Sequence, residues 1–182
     1  MDFNKKLRSR GIWFFTETMT SDQAVAFAEK VENLNYSSLW LPETTGRDPF
    51  SHIAMLLSNT EHLIFATGIA NIHHRHPGVT KQAAATLAEM SSNRFILGLG
   101  VSHAPLVEGL RQLSYEKPLA SMRDYLIAMK NSPYTSVPPS EEPPCVLAAL
   151  GPKMLELAAE ETDGAHPYWT TPEHTELARN IL

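Results

Sequence analysis

Arg94-Phe95-Ile96-Leu97-Gly98-Leu99-Gly100-Val101 is the stretch that decides the fold of this chain. After the leading arginine it is an unbroken apolar run, with no alternation of apolar and polar residues. Continuous runs of this length are typical of strands that are buried on both faces, as in parallel sheets. Five further runs of the same kind predict five more strands: Gly11 to Phe15, Ser38 to Pro42, Leu63 to Ile69, Cys145 to Leu150, and Ala165 to Trp169.

The segments between these runs carry helix start signals. Thr20 with Gln23 forms a predicted capping box, and Asp48-Pro49 places a cap before a first-turn proline. Thr80 is predicted to open the third helix. The expected helices cover 22–33, 49–59, 81–90, 118–129, 152–162 and 172–182. The segment 131–144 holds five prolines and no periodicity, which indicates a surface connection.

Strands that alternate with helices predict right-handed parallel crossovers, found both in doubly wound sheets and in eightfold barrels. The first strand is not followed by a G-x-G-x-x-G turn, which favours the barrel. A complete barrel needs about 250 residues. We therefore expect one domain over residues 1–182, an incomplete (β/α)8 barrel that lacks the last two β/α units. With two unpaired edges, it is expected to be weakly stable and prone to associate.

Composition limits the class of protein. Hydrophobic residues make up 43% and charged residues 19%, which is typical of a globular domain. The net charge of −5 favours neither nucleic acid nor an anionic membrane as a partner. No apolar run approaches the length of a membrane span, and residues 1–10 lack the apolar region of a secretory signal. Cys145 is the only cysteine, so we expect a reducing, cytoplasmic location.

Functional residues of parallel β/α proteins lie directly after the strands. His73, His74 and His76 fall in one such loop, but no acid or cysteine completes a ligand set, so no metal site is predicted. The motifs G-x-S-x-G, H-E-x-x-H and the P-loop are absent, which leaves the hydrolase and nucleotide-hydrolysing classes without support.

Four phrases occur in a characteristic order and spacing: Ser38 to Glu43, Ala66 to Asn71, Arg94 to Gly100, and Ala148 to Lys153. Together they resemble the luciferase-like monooxygenase superfamily, closest to its deazaflavin-dependent oxidoreductase branch. The resemblance extends from Gly11 to Leu182. It implies an incomplete (β/α)8 barrel that binds FMN or the deazaflavin coenzyme F420 and acts on a small organic substrate.

The resemblance also implies where the cofactor binds. Gly68-Ile69 corresponds to a non-proline cis peptide that supports the ring, although a glycine here also suits a simple turn. Pro152 fixes the first helical φ, so the next N–H groups and the helix dipole can hold a phosphate close to Gly151; a plain helix start is the alternative. The predicted cofactor-binding residues are Gly68, Ile69, Asn71, Gly100, Gly151, Pro152, Lys153, Thr170 and Thr171.

Two residues are predicted to be catalytic. Glu43 ends the second strand, where an acid can bind the substrate or the cofactor edge; the alternative is an ion pair with Arg47. Some deazaflavin dehydrogenases carry an Asp-His pair here, whereas this chain has Glu43-Thr44, so that proton transfer is not implied. His103, after the Gly98-x-Gly100 strand, is placed for contact with the substrate or the ring.

The leading hypothesis is a flavin- or deazaflavin-dependent oxidoreductase or monooxygenase. A non-catalytic, vestigial flavin-binding barrel and a sugar-phosphate enzyme on the same barrel mouth are the alternatives. The resemblance also implies a homodimer through the helices beside the second and third strands. Its predicted apolar contacts are Ala54, Met55, Leu57, Ala83, Ala84 and Leu87.

Overall fold

The computed structural model describes Leu7 and residues 10–182. Within these residues six strands form one parallel sheet: β1 Gly11–Trp13, β2 Ser38–Leu41, β3 Ile64–Thr67, β4 Ala70–Asn71, β5 Phe95–Gly100 and β6 Cys145–Leu147. Six α-helices accompany them: α1 Ser21–Asn33, α2 Pro49–Leu57, α3 Pro77–Met90, α4 Pro118–Asn131, α5 Pro152–Glu161 and α6 Pro172–Ile181. A 3-10 turn, Ile72–His74, and a π-helix, Pro105–Leu110, complete the regular structure.

The strand order identifies the sheet as part of a barrel. β1, β2, β3 and β5 pair successively, and β4 and β6 also pair with β5. β3 and β4 are the two halves of one interrupted strand, so the order follows the chain without the reversal of a doubly wound sheet. In the described part β1 and β6 are not paired, and the barrel is open there. The predicted fold class, an incomplete (β/α)8 barrel, is confirmed.

The two faces of the sheet carry different cores. Side chains that include Leu39, Phe65 and Leu97 face outward and form the main core with the helices. Ile64, Ala66 and Ile96 face the barrel interior, where Trp40 and Val146 pack against them. Helices that cover only one face of a parallel sheet are typical of barrels, which supports this architecture.

The predicted caps are largely correct, with one exception. Thr20 and Gln23 form the expected capping box, and the Asp48 carboxylate accepts a hydrogen bond from the backbone N–H of Ser51. The third helix begins at Pro77, not after Thr80 as predicted. The Thr80 hydroxyl is buried and hydrogen-bonds the Tyr125 hydroxyl at 2.5 Å, so it is a core contact rather than a cap.

The predicted strand from Ala165 to Trp169 is wrong. Only Ala165 forms a bridge, with Leu147, and the backbone N–H of His166 adds one bond to the Leu147 carbonyl at 2.7 Å. Pro167 has no N–H to continue the ladder. Trp169 then adopts a left-handed φ of 52° and is 92% exposed.

Glu32, near the end of α1, ties that helix to the start of β3. Its carboxylate accepts hydrogen bonds from the backbone N–H groups of Glu61 at 3.1 Å, His62 at 2.5 Å and Leu63 at 2.7 Å. Burial alone would raise the pKa of Glu32, but these N–H groups outweigh it and hold the pKa below its usual value.

The helix faces assigned to a dimer contact are only partly available. Leu57, Ala84 and Leu87 are buried in the core of the chain, so their predicted role in a dimer surface is wrong. The other three residues, Ala54, Met55 and Ala83, are half-buried and pack against that core.

Candidate functional site

The interruption between β3 and β4 lies at the C-terminal end of the sheet. The Gly68-Ile69 peptide bond is cis, as predicted. The Gly68 N–H donates to the Leu41 carbonyl at 2.7 Å, and the Gly68 carbonyl accepts from the indole Nε1 of Trp13 at 2.7 Å. β1 and β2 therefore fix the backbone at the point where the cofactor ring is expected.

The glycines of β5 make room for this interruption. A Cβ at Gly98 would lie 2.0 Å from the Thr67 carbonyl oxygen, and one at Gly100 would lie 2.4 Å from Cδ1 of Ile69. The Thr67 hydroxyl also bonds both the carbonyl and the N–H of Gly98, at 2.7 and 2.8 Å. Gly100 thus provides a seat for the Ile69 side chain, while its predicted contact with a cofactor stays a prediction.

Glu43 is the centre of a buried polar network at the end of β2. Its side chain is 7% exposed, and its two oxygens accept bonds from Arg75 at 2.5 and 2.9 Å. The backbone N–H of Asn71 donates to the same carboxylate at 2.7 Å, and Nδ1 of His74 lies 3.3 Å away. Arg75 extends the network to Asp48 at 2.8 Å.

In this network, the ion-pair partner of Glu43 differs from the one considered from the sequence. The alternative partner considered from the sequence, Arg47, is wrong, because Arg47 donates to the Met19 carbonyl at 2.6 Å and contacts His52 instead. Protein donors surround both carboxylate oxygens of Glu43, which suits a residue that holds strand ends together. A catalytic role for Glu43 stays a prediction.

Of the three neighbouring histidines, two have polar side-chain contacts and one has a ring nitrogen without a hydrogen-bond partner in the described part of the chain. His76 caps α3 by accepting the Gly78 N–H at Nδ1, and His74 contacts Glu43 and Asn71. His73 differs, because its Nε2 is buried and finds no partner among the described residues. Burial, and then the neighbouring His74, lower the pKa of His73, so its ring is neutral near pH 7.

A segment from residue 101 to 117 crosses from β5 toward β2. The Tyr115 hydroxyl donates to the Ser102 carbonyl at 3.1 Å, and its ring lies 5.8 Å from that of His73. At the other end Arg111 donates to the Thr44 carbonyl at 3.0 Å. His103 lies exposed at the start of this segment, at the strand end where the sequence predicted it.

The predicted phosphate site at Gly151 and the start of α5, the phosphate seat, is open. Gly151 precedes α5 with φ of −84°, and a Cβ there would have no heavy atom of the described residues within 4 Å. Glycine has no side chain to cap this helix. Lys153 follows in the first turn and is exposed, so the approach to the N–H groups is not covered by packed side chains.

α6 begins beside this seat. The Thr171 hydroxyl accepts the His174 N–H at 3.3 Å and so caps α6, while Thr170 is half-buried just before it. Nε2 of His174 lies 2.8 Å from the Leu150 carbonyl, so it carries the proton, and the buried Nδ1 has no partner among the described residues. Helix caps are readable from sequence, but the position of His174 against Leu150 is not.

Aromatic side chains line the interior below the strand ends. Trp13 contacts Tyr168 at a ring separation of 4.8 Å, and Trp40 stacks on His166 at 4.6 Å. Burial lowers the pKa of His166, which is therefore neutral near pH 7. Flat apolar walls of this kind suit an aromatic ligand.

Neither a metal-binding cluster nor a membrane-spanning helix is found among the described residues. Across the described residues no three His, Cys, Asp or Glu side chains converge in a way that could hold a metal ion. In the same part of the chain, no helix combines the length and apolar character needed to cross a membrane.

An interrupted strand, close-packed glycines and an open helix start lie together at the C-terminal end of a parallel β/α barrel, the end at which barrel enzymes carry their active sites. The model of the luciferase-like monooxygenase family matches residues 9–181. The chain therefore belongs to this family, as its four sequence phrases predicted.

Individual relatives agree with this assignment. A Mycobacterium tuberculosis protein assigned as a coenzyme F420-dependent oxidoreductase is 29% identical, over 89% of this chain and 54% of the relative. The F420-dependent tetrahydromethanopterin reductase of Methanopyrus kandleri superposes with a TM-score of 0.80 at 18% identity, over 95% of this chain and 59% of the other. The oxygenating constituent of 3,6-diketocamphane monooxygenase of Pseudomonas putida, in complex with FMN, gives 0.76 at 14% identity, over 95% and 60%. The chain spans about half the length of the curated relatives that it matches.

Proposed function

We propose that this chain forms the cofactor-binding mouth of an oxidoreductase that uses coenzyme F420 or FMN on a small organic substrate. The observation that carries the proposal is a pair of unpaired imidazole nitrogens. In the described part, three buried side-chain atoms lack a hydrogen-bond partner, and two of them are Nε2 of His73 and Nδ1 of His174. Buried polar atoms are nearly always paired, so two orphans at the strand ends point to a ligand with polar groups there.

The residues present fit such a cofactor. A phosphate would be held at the start of α5, by Gly151 and the backbone after Pro152, with Lys153, Thr170, Thr171 and His174 around it. The ring would lie against the Gly68-Ile69 interruption, which is supported from β5 by Gly100. When bound, either cofactor supplies two-electron redox chemistry, and FMN also supports reaction with oxygen.

The protein groups then position and shield the reactants. We propose that Glu43 acts by holding Asn71 and Arg75 in place, and that the exposed His103 contacts the substrate. The segment 101–117 covers the mouth between β5 and β2 and limits the access of water. Coenzyme F420 is the preferred cofactor because the relative of highest identity named above is assigned to it, at 29%.

An absorbance and fluorescence titration with coenzyme F420 and with FMN tests the proposal. We expect saturable binding, weakened at least about tenfold by His174→Ala or His73→Phe because each removes a polar contact. His62→Ala is the matched control, since His62 is an exposed histidine far from these strand ends in the barrel. Spectra of both cofactors that stay unchanged on addition of the protein would refute the proposal.

We further propose a cytoplasmic homodimer. The free thiol of Cys145 suits a reducing compartment. The half-buried Ala54, Met55 and Ala83 remain the candidate contact after the removal of the three core residues. Sedimentation velocity at micromolar concentration tests it, and a monomer that persists on addition of cofactor would refute the dimer.

A further inference from the structure

A second cavity, of about 480 Å³, lies on the outer, helix-covered side of the sheet. Its lining includes apolar side chains from four elements: Leu97 from β5, Cys145 from β6, Ala84 from α3, and Leu126 and Met129 from α4. The polar residues Lys81, Lys130, Asn131, Glu142 and Glu161 also line it. Leu97 belongs to the outward-facing core, so the sheet itself separates this cavity from the barrel interior. The cavity is therefore distinct from the mouth that would hold the cofactor.

Three neighbouring β/α units form the cavity. Ala84 and Cys145 contribute small side chains to the lining, and the proline-rich connection between α4 and β6 contributes Pro143. The cavity lies away from β1, because β5 and β6 contribute Leu97 and Cys145 to its lining.

The charges at its rim leave no excess of either sign. The charged residues of the lining are two lysines and two glutamates: Lys81, Lys130, Glu142 and Glu161. The ammonium of Lys81 already donates to the carbonyls of Lys130 and Ser132, at 3.0 and 2.7 Å. A ligand with a net charge would find no unbalanced counter-charge here.

None of the buried side-chain atoms that lack a partner in the described part of the chain belongs to its lining. Burial, followed by the nearby Asp163 carboxylate, raises the pKa of the Cys145 thiol to about 12, so this wall is uncharged at neutral pH.

We propose that this cavity binds a small, uncharged apolar molecule with an aromatic or branched aliphatic body, as a ligand site independent of the mouth. The volume falls in the range of about 300–1,000 Å³ that is typical of ligand sites. An apolar molecule that covers the apolar part of this lining removes that surface from water, which is favourable. An occupant would touch Leu97, which precedes the two glycines of β5 that seat Ile69, so the two sites share one strand.

Two matched dyes test this site in the folded chain. N-phenyl-1-naphthylamine is uncharged, and 8-anilino-1-naphthalenesulfonate is the same framework with a sulfonate. Fluorescence titration should show one saturable site for the uncharged dye and at least about tenfold weaker binding of the charged one. Saturating FMN should leave the uncharged dye bound, because the mouth lies at the C-terminal ends of the strands and the cavity lies behind the outer face of the sheet.

Three variants locate the dye. Cys145→Phe fills the cavity, and Ile127→Lys places a charge on its wall; each should weaken binding of the uncharged dye at least about tenfold. Leu177→Lys is the control, because Leu177 on α6 is 48% exposed, as Ile127 is, and lies outside the lining. If Cys145→Phe does not fold, Ile127→Lys and Leu177→Lys decide the question. Equal binding by Ile127→Lys and Leu177→Lys, displacement by FMN, or equal affinity for both dyes would overturn the proposal.

Discussion

Replacing Gly151 with valine is expected to weaken cofactor binding while the fold stays intact. Gly151 has φ −84° and ψ 150°, a conformation that suits a β-branched residue, and the new side chain would enter open space. Valine is a poorer N-cap residue than glycine, which costs about 0.5–1 kcal/mol of the free energy of unfolding. The variant should therefore melt cooperatively, close to the original chain.

The effect on binding should be larger and specific for the phosphate. The valine methyl groups would stand between the phosphate and the first-turn N–H groups of α5. Loss of one hydrogen bond to a charged group costs about 1.5–3 kcal/mol, which corresponds to roughly a tenfold to hundredfold rise in Kd. Riboflavin, which lacks the phosphate, should bind the variant and the original chain alike.

The assay is a fluorescence titration of both proteins with FMN and with riboflavin. The riboflavin titration is the internal control, because riboflavin reports on the ring site without the phosphate. The reasoning fails if Gly151→Val leaves the Kd of FMN unchanged, or if the affinity for riboflavin falls by the same factor.

Three further experiments test the packing and charges of the site and of the fold. Gly98→Ala should lower the free energy of unfolding by about 2–4 kcal/mol in urea denaturation, because its Cβ would lie 2.0 Å from the Thr67 carbonyl; an unchanged midpoint would contradict this. Arg75→Met should cost about 3–5 kcal/mol by leaving the buried Glu43 unpaired, and adding Glu43→Gln should restore part of the loss. Glu32→Gln should cost about 1–3 kcal/mol at pH 7. Because the folded pKa of Glu32 is lowered, its stabilisation is present above the unfolded pKa and is lost as the pH falls through the folded value. The variant should therefore lose less stability than the original chain between pH 6 and about pH 3, and parallel curves would refute that assignment.

Local signals in the sequence predicted most of the elements. The capping box at Thr20 and the Asp48-Pro49 start depend on residues within one helical turn of each other, and both are present as predicted. Thr80 carries a similar signal but caps no helix, because its hydroxyl contacts that of Tyr125, 45 residues away. A cap and a buried hydroxyl contact use the same side chain, and only the packing of α3 on α4 decides between them.

Some features of the candidate site could likewise be predicted from the sequence, and others could not. The strand ends at which Gly68, Glu43 and Gly151 lie could be predicted, because parallel strands bring their C-terminal ends to one side. The partner of Glu43 could not, since Arg47 and Arg75 carry the same charge and differ only in where the folded backbone places them. The buried, unpaired nitrogens of His73 and His174 also left no pattern in the sequence.

The sequence by itself determined the architecture, the family and the end of the barrel at which the site forms. Apolar runs, caps and glycines act over a few residues, and their physical effects do not require the rest of the fold. The tertiary structure decided that Ala165 to Trp169 does not continue the sheet, that Leu57, Ala84 and Leu87 are core residues, and that a cavity lies behind β5. These outcomes depend on which surfaces meet across long separations in the chain, where burial and hydrogen bonding are set by all the neighbours together.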